Sequence, residues 1–227
     1  MRTKALLLTA VALAVGLASS EAQNVYSQNI VGYINYTSTT VSPQFELISN
    51  PLDNGSNTVS SLFKTPPGGT QLQLWQPSSG SFLTVSFTGG HWKTNGVTVD
   101  NTLIIQPGTG FFISVGSGVY SNTFVGNVTP ASGTAGTNVI ETGFQAVSSL
   151  VPYSDNVTNT STLNLIVPGG TQVQAWNVVN QSFDVYSFTG GRWRLNGNPA
   201  NLTLGVPQGV FVNNQSGAPI NWVETGP

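Results

Sequence analysis

The groups with which this chain could do chemistry are few. Beyond residue 22 its acids are Glu46, Asp53, Asp100, Glu141, Asp155, Asp184 and Glu224, and its bases are Lys64, Lys93, Arg192 and Arg194. His91 is the sole histidine, and there is no cysteine. A catalytic site needs titratable groups brought together in set roles. A Ser-His-Asp arrangement could use only His91, and the Gly-x-Ser-x-Gly turn that exposes a nucleophile is absent. Too few imidazoles and thiols exist for a His/Cys metal centre. Glycoside hydrolysis needs two carboxylates flanking one bond, yet nothing in the spacing of the seven acids pairs any two. His91 reads as a solvated turn residue. No catalytic residue is assigned, and the chain is expected not to be an enzyme.

Two other patterns are candidates because they occur twice. Asp53-Asn-Gly-Ser-Asn57 and Asp155-Asn-Val-Thr-Asn159 place oxygen ligands at i and i+4. Asp53, Asn57, Asp155 and Asn159 could thus help to hold Ca²⁺, but calcium loops gather several carboxylates. An Asx turn, in which the side chain bonds nearby amides, is the favoured reading, and no cofactor is expected. Trp92-Lys93 and Trp193-Arg194 each follow a Gly-Gly turn. A tryptophan beside a cation could stack on a sugar, so these four residues are the ligand-binding candidates. Folding of the two rings inward, to cap a core, is favoured over a platform.

These patterns repeat because the chain repeats. Pro67-Gly-Gly-Thr-Gln-Leu-Gln-Leu-Trp75 matches Pro168-Gly-Gly-Thr-Gln-Val-Gln-Ala-Trp176, and Ser86-Phe-Thr-Gly-Gly-His-Trp92 matches Ser187-Phe-Thr-Gly-Gly-Arg-Trp193. Over 67–96 against 168–197, 17 of 30 positions are identical at constant offset, which implies duplication. Weaker matches pair Phe45 with Phe144, Glu46 with Gln145, Gly110 with Gly209, and Asn122-Thr-Phe-Val125 with Ile220-Asn-Trp-Val223. The small, turn-forming stretch 129–136 marks a boundary. The organisation is thus a signal peptide over 1–22, repeat one with an N-terminal strand over 23–130, and repeat two over 131–227.

Periodicity makes the repeats all-β. Gln71-Leu-Gln-Leu-Trp75 and Gln172-Val-Gln-Ala-Trp176 alternate in the manner of half-buried strands. Gly89-Gly90, Gly190-Gly191, Asn95-Gly96 and Asn196-Gly197 are hairpin signals. Leu103–Ile105, Pro107-Gly108 and Gly110–Val115 read as another strand–turn–strand. Two tandem β-sandwich-like or small-barrel repeats are expected. Trp75 should superpose on Trp176 and Trp92 on Trp193. Phe45, Trp75, Phe87 and Phe112 should be largely buried, with Phe144, Trp176, Phe188 and Phe211 as their equivalents. Trp75 and Trp176 in particular are expected to fill the cores.

Arg2 and Lys4, the apolar run 5–18, and Ser20-Glu21-Ala22 form a secretory leader with cleavage after Ala22. The product is expected to be extracellular, periplasmic or on the cell surface, with no membrane span after cleavage. Charged residues make up 6% of the chain, and no basic stripe exists, so nucleic acid is not an expected partner. The uncharged segment Val25–Tyr36 has no evident counterpart before Phe144. It should lie as a strand on repeat one, and between molecules it could support self-association through edge strands.

The segments Asn24–Tyr33, Leu47-Ile-Ser-Asn-Pro-Leu-Asp-Asn-Gly55, Gly69-Thr70, Gly90-His-Trp92 and Pro107-Gly-Thr-Gly-Phe-Phe112 resemble those of uncharacterised exported two-repeat proteins common in Verrucomicrobia and their relatives. The Leu-Ile-x-Asn-Pro and Pro-Gly-x-Gly-Phe-Phe phrases are also similar to β modules of Bacteroidetes surface proteins. The resemblance implies a bacterial, exported, two-unit chain. It brings no assigned activity and no functional residues. The expectation is a non-enzymatic structural, adhesive or interaction protein of the cell surface or matrix. A carbohydrate-binding module using the turn tryptophans is the alternative, and a divergent enzyme is third.

Overall fold

The computed structural model describes residues 30–227. The leader and the start of the Val25–Tyr36 segment lie outside them. Repeat one supplies β1 (Val31–Thr37), β2 (Glu46–Ser49), the single-turn helix α1 (Val59–Leu62), β3 (Gln71–Gln76), β4 (Ser81–Thr88), β5 (His91–Thr94), β6 (Val97–Thr98), β7 (Gly110–Ser114) and β8 (Ser121–Asn127). Repeat two supplies β9 (Ala135–Ile140), β10 (Gly143–Val147), β11 (Asp155–Asn156), β12 (Gln172–Asn177), β13 (Ser182–Thr189), β14 (Arg192–Leu195), β15 (Asn198–Pro199), β16 (Thr203–Leu204), β17 (Val210–Asn214) and β18 (Ile220–Thr225).

Turn chemistry sets the strand order. Gly89-Gly90 and Asn95-Gly96 all take positive φ, as do Gly190-Gly191 and Asn196-Gly197. Two consecutive left-handed residues match the twist of flanking strands, so each pair closes a tight hairpin. The result is a six-stranded antiparallel sheet in the order β2-β7-β3-β4-β5-β6 and its equivalent β10-β17-β12-β13-β14-β15. A two-stranded ribbon accompanies each sheet, β1 with β8 and β9 with β18. The fold is all-β and sandwich-like, and neither large sheet closes into a barrel.

Strand parity then divides the apolar residues between two faces of each sheet. In repeat one, Leu72, Val85, Trp92, Phe111 and Ile113 point to one face, where Tyr36 and Phe124 of the ribbon and Val59, Leu62 and Phe63 cover them. In repeat two, Val173, Trp193, Val210 and Val212 meet Ile140, Ile220 and Trp222. Each repeat thus has its own core between sheet and ribbon. The opposite faces of the two sheets meet each other through Leu47, Phe112 and Phe211, with Phe45, Trp75, Ala146, Trp176 and Phe183 around them. The molecule is a four-layer stack of ribbon, sheet, sheet and ribbon.

The middle of this stack is reciprocal. Trp75 Nε1 donates to the Phe144 carbonyl at 2.7 Å, and Trp176 Nε1 donates to the equivalent Phe45 carbonyl at 2.8 Å. Ile48 bridges Gln208, and its equivalent Val147 bridges Thr109. Gly110 and Gly209 sit where the repeats cross. A Cβ on Gly209 would stand 2.7 Å from the Ile48 oxygen, and one on Gly110 would stand 3.0 Å from Ala146 and Val147 backbone atoms. Only glycine fits such an approach. The two repeats are thus related by a local twofold arrangement of contacts.

Several expectations are corrected here. Trp75 and Trp176 lie on β3 and β12 as expected, but half-buried between the repeats rather than inside their cores. Leu72 and Leu74 take the core side of β3, so parity sends Trp75 to the other. Of the eight aromatics expected to be largely buried, Phe112 and Phe211 are. Phe45, Phe87 and Phe188 are half-buried with the two tryptophans, and Phe144 is 40% exposed at the rim of the contact. Leu103–Ile105 does not pair with β7, because the Pro107-Gly108 stretch runs to the inter-repeat contact instead; Ile104 only bridges Thr58. The N-terminal segment does have a counterpart. β1 pairs with β8 from Val31↔Asn127 to Thr37↔Ser121, and β9 pairs with β18 in the same manner. The two segments share a role without sharing residues, which hid the match. Pairing of 31–37 within its own repeat is as expected.

Trp92→Ala and Trp193→Ala should each cost ~3–5 kcal/mol in urea unfolding, as for large aromatics removed from packed cores. Gly209→Ala should instead loosen the contact between repeats. Hydrogen exchange should then show lost protection at the Ser49 and Ser148 amides, which bond to Pro207 and Gly108 carbonyls across it, while β5 and β14 stay protected.

Candidate binding cleft

The structure separates the residues singled out in the sequence. Trp92 and Trp193 are 1% and 3% exposed, packed edge-on against Phe87 and Phe188 respectively. A ring sealed in a core offers no face to a sugar, so the platform reading of these two residues is overturned. The cause is the hairpin: β5 and β14 return along β4 and β13 with the tryptophan on the core side. Their neighbours Lys93 and Arg194 lie on the other side of the same strands. Arg194 bonds the Gly197 carbonyl at 3.0 Å and so braces its own hairpin.

Asp53 and Asp155 organise turns. Asp53 accepts from the Gly55 amide and from Asn57 Nδ2, both at 2.8 Å. Asp155 accepts from the Asn156 amide, Asn159 Nδ2 and Thr162 Oγ1, and the first of these leads in holding its carboxyl below the usual range. In both loops the asparagine offers N–H groups to the carboxylate, not the oxygen a cation would need. Asn57 Oδ1 is used elsewhere, by the Asn54 amide and buried Asn50. This is an Asx turn with an amide network beneath it.

Sequence reasoning missed a third use of charge. Asp100 Oδ2 lies 2.6 Å from Nδ1 of His91, and Oδ1 accepts from the Trp92 amide at 2.6 Å. The bond to His91 is the main cause holding the Asp100 carboxyl below its ordinary value. With its side chain 56% exposed, His91 is solvated as read, but it is also tied to the loop after β6. The pair lie nine positions apart in the chain, and the β5–β6 hairpin brings them together.

Two carboxylates are buried. Glu224 accepts from Ser149 Oγ and the Leu150 amide, and burial pushes its carboxyl up to about 7. Glu46 Oε1 gathers the Thr39 amide at 2.7 Å, the Thr40 amide at 3.0 Å, and the Ser38 and Thr40 hydroxyls. Beside Glu46 stands Tyr36, 5% exposed, with its ring in the core of repeat one and its hydroxyl buried next to Ser38 and Glu46. Burial first, and the Glu46 charge second, push the Tyr36 phenol far above its ordinary value, so it stays a proton donor.

Tyr36 and Glu46 line a cleft of about 360 Å³ between the repeats. One wall is β1 and β2 of repeat one. The other is Trp176, Val178 and the loop Gly205–Gln208 of repeat two. The volume falls in the range of small-molecule sites. Position by position, the twofold counterpart of this corner has Ile140 for Tyr36 and Gln145 for Glu46. There Leu150 Cδ2 lies 2.8 Å from where a Gly108 Cβ would sit, and Asn138 Nδ2 bonds the Gly108 and Ser148 carbonyls. The two corners have thus diverged, one crowded and one lined by Tyr36 and Glu46. No sequence signal marked this cleft, because its walls come from four segments over 170 residues apart at the extremes.

Glu224 yields a pH prediction. Its folded value lies above the ordinary 4.5, so its contribution is complete below that value and is lost as pH rises through about 7. Urea unfolding should show stability falling between pH 5 and 8, by on the order of 3 kcal/mol for a shift of this size. Glu224→Gln should flatten that slope. Asp100 titrates in the other direction and only at acid pH.

No family model matches this chain, and no curated protein or solved structure matches it either.

Proposed function

We propose that this chain is an exported, non-enzymatic interaction protein of the cell surface or extracellular matrix. The observation that carries the reading is the use of its acids. Of the seven in the described residues, six accept hydrogen bonds from the chain's own structural groups. Asp53 and Asp155 hold turns, Asp100 holds His91 and Trp92, Glu46 and Glu224 hold backbone amides, and Asp184 accepts from Asn177. A carboxylate committed to backbone donors is poorly placed to move protons for a substrate. Among the described residues there is also no group of three or more His, Asp or Glu that could hold a metal. The surface, poor in charge and rich in Asn, Gln, Ser and Thr, suits weak polar recognition.

Export rests on the leader and on the resemblance to exported two-repeat proteins. Expression of the full chain in a Gram-negative host, followed by fractionation, should place a product shortened by about 22 residues outside the cytoplasm. The purified product should turn over none of a panel of chromogenic glycosides, esters, phosphates and peptides. Turnover that disappears in Asp100→Asn would overturn the non-enzymatic reading, and a full-length cytoplasmic product would overturn export.

A further inference from the structure

We propose that the free edge of β1, where it borders the cleft between the repeats, receives residues 23–29 of a second copy of this chain as an added β-strand. This deepens the interaction-protein reading and rests on its exported product, which begins at about residue 23. β1 belongs to a ribbon of two strands, with β8 on one side and no strand on the other. The bonds at its two ends fix the parity of the ladder: the Ser38 amide donates to the Tyr120 carbonyl at 2.9 Å, and the Val128 amide to the Ile30 carbonyl at 2.8 Å. In an antiparallel pair, bonded positions recur every second residue. Gly32, Ile34 and Tyr36 therefore turn their N–H and C=O groups to β8, and Val31, Tyr33, Asn35 and Thr37 turn theirs outward. None of these outward groups bonds another part of the described residues. The next outward amide, that of Thr39, is closed off by Glu46 Oε1 at 2.7 Å, so the open stretch ends at Thr37.

Such an edge is a template for another strand, and proteins usually guard theirs with charge or proline. Val31-Gly-Tyr-Ile-Asn-Tyr-Thr37 has neither. The outer edge of β8, by contrast, runs beside Lys64, and the corresponding corner at β9 is crowded by Asn138 and Leu150. At its Asn35–Thr37 end β1 opens on the cleft of about 360 Å³, with Trp176, Val178 and Pro207 in the far wall. A strand laid along β1 there meets backbone partners on one side and apolar surface on the other.

Gln23-Asn-Val-Tyr-Ser-Gln-Asn29 has the matching properties. It carries no charge, and the one charge in the cleft lining, Glu46, already accepts hydrogen bonds from the Ser38–Thr40 turn. Seven extended residues span about 23 Å, the length of the seven-residue β1. Side chains alternate along a strand, so either face brings Val25 or Tyr26 toward Trp176 and Pro207. Each copy offers one such segment and one such edge. The contact is therefore head to tail, and it propagates into a chain of subunits.

The test follows the exported product by light scattering over a concentration series, with mass spectrometry to read its N-terminus. Assemblies should grow with concentration. Deleting 23–29 should leave monomers at every concentration, with the parent's melting temperature at dilutions where both are monomeric. Val25→Asp together with Tyr26→Asp, which leaves residues 30–227 untouched, should do the same. The capped synthetic peptide of residues 23–29 should dissolve the assemblies and bind the deleted chain at one site. Asn35→Pro removes an outward N–H and none from the β8 ladder, and should weaken that binding about tenfold, as for loss of one hydrogen bond. Asn35→Ala loses the same side-chain bond to Thr123 but keeps the N–H, so it should bind the peptide undiminished. A product that begins near residue 23 and stays monomeric throughout overturns the pairing alone. So do assemblies that persist without 23–29, and peptide binding indifferent to Asn35→Pro. A melting temperature lowered by the deletion, in a chain monomeric throughout, would place the segment on its own molecule and overturn the pairing between copies. A product that keeps its leader overturns the export reading and the pairing with it, so the two failures are distinguishable.

Discussion

Two tryptophan N–H groups hold the architecture together at its centre. Trp75 reaches the Phe144 carbonyl, and Trp176 reaches that of Phe45. Each indole places its ring in an apolar layer and its polar atom on the backbone of the other repeat, so burial leaves no unpaired donor there. Around them Phe82, Phe112, Phe183 and Phe211 pack mostly edge to face, with ring centres 4.9–6.1 Å apart. That geometry suits the aromatic quadrupole. A layer of this kind explains how a chain without disulfides keeps two sheets in fixed register.

The same contact resembles an isologous dimer interface joined into one chain. The equivalent residues Phe45 and Phe144, Ile48 and Val147, and Gly110 and Gly209 meet across it in reciprocal pairs. In a symmetric dimer each surface patch must complement itself. Duplication relaxes that demand, because the two copies can then change separately. The outcome is visible at the two corners of the contact. One has become crowded by Leu150 and Asn138, and the other carries Tyr36 and Glu46 beside an open cleft.

Charge is spent sparingly elsewhere. Five of the seven acids in the described residues hold loops and turns and Asp184 links β13 to β12, and the aliphatic and aromatic cores of the two repeats are sealed by ribbons that carry no acid on their core face except Glu224. In place of ion pairs the loops use amide and hydroxyl networks, such as Asn50, Asn54 and Asn57 above Asp53. Such networks fix loop shape without charge, which keeps the surface uniform and polar.

The sequence by itself determined the class, the repeat and the hairpins. Alternation in Gln71–Trp75 and glycine or asparagine at positive φ are local properties, and local sterics fix them without help from distant residues. It also carried the face of Trp75, since Leu72 and Leu74 have the opposite parity, though it could not say what that face would meet. The inward turn of Trp92 and Trp193 was the favoured sequence reading, but only tertiary structure decided that the two sheets stack face to face and that β1 and β9 play one role with different residues. It alone set His91 beside Asp100 and built the cleft from 35–37, 46–48, 176–178 and 205–208. The physical reason is range. Backbone preference acts over a few residues, whereas burial and pairing choose among partners far apart in the chain, and those choices leave no periodic trace in any one segment.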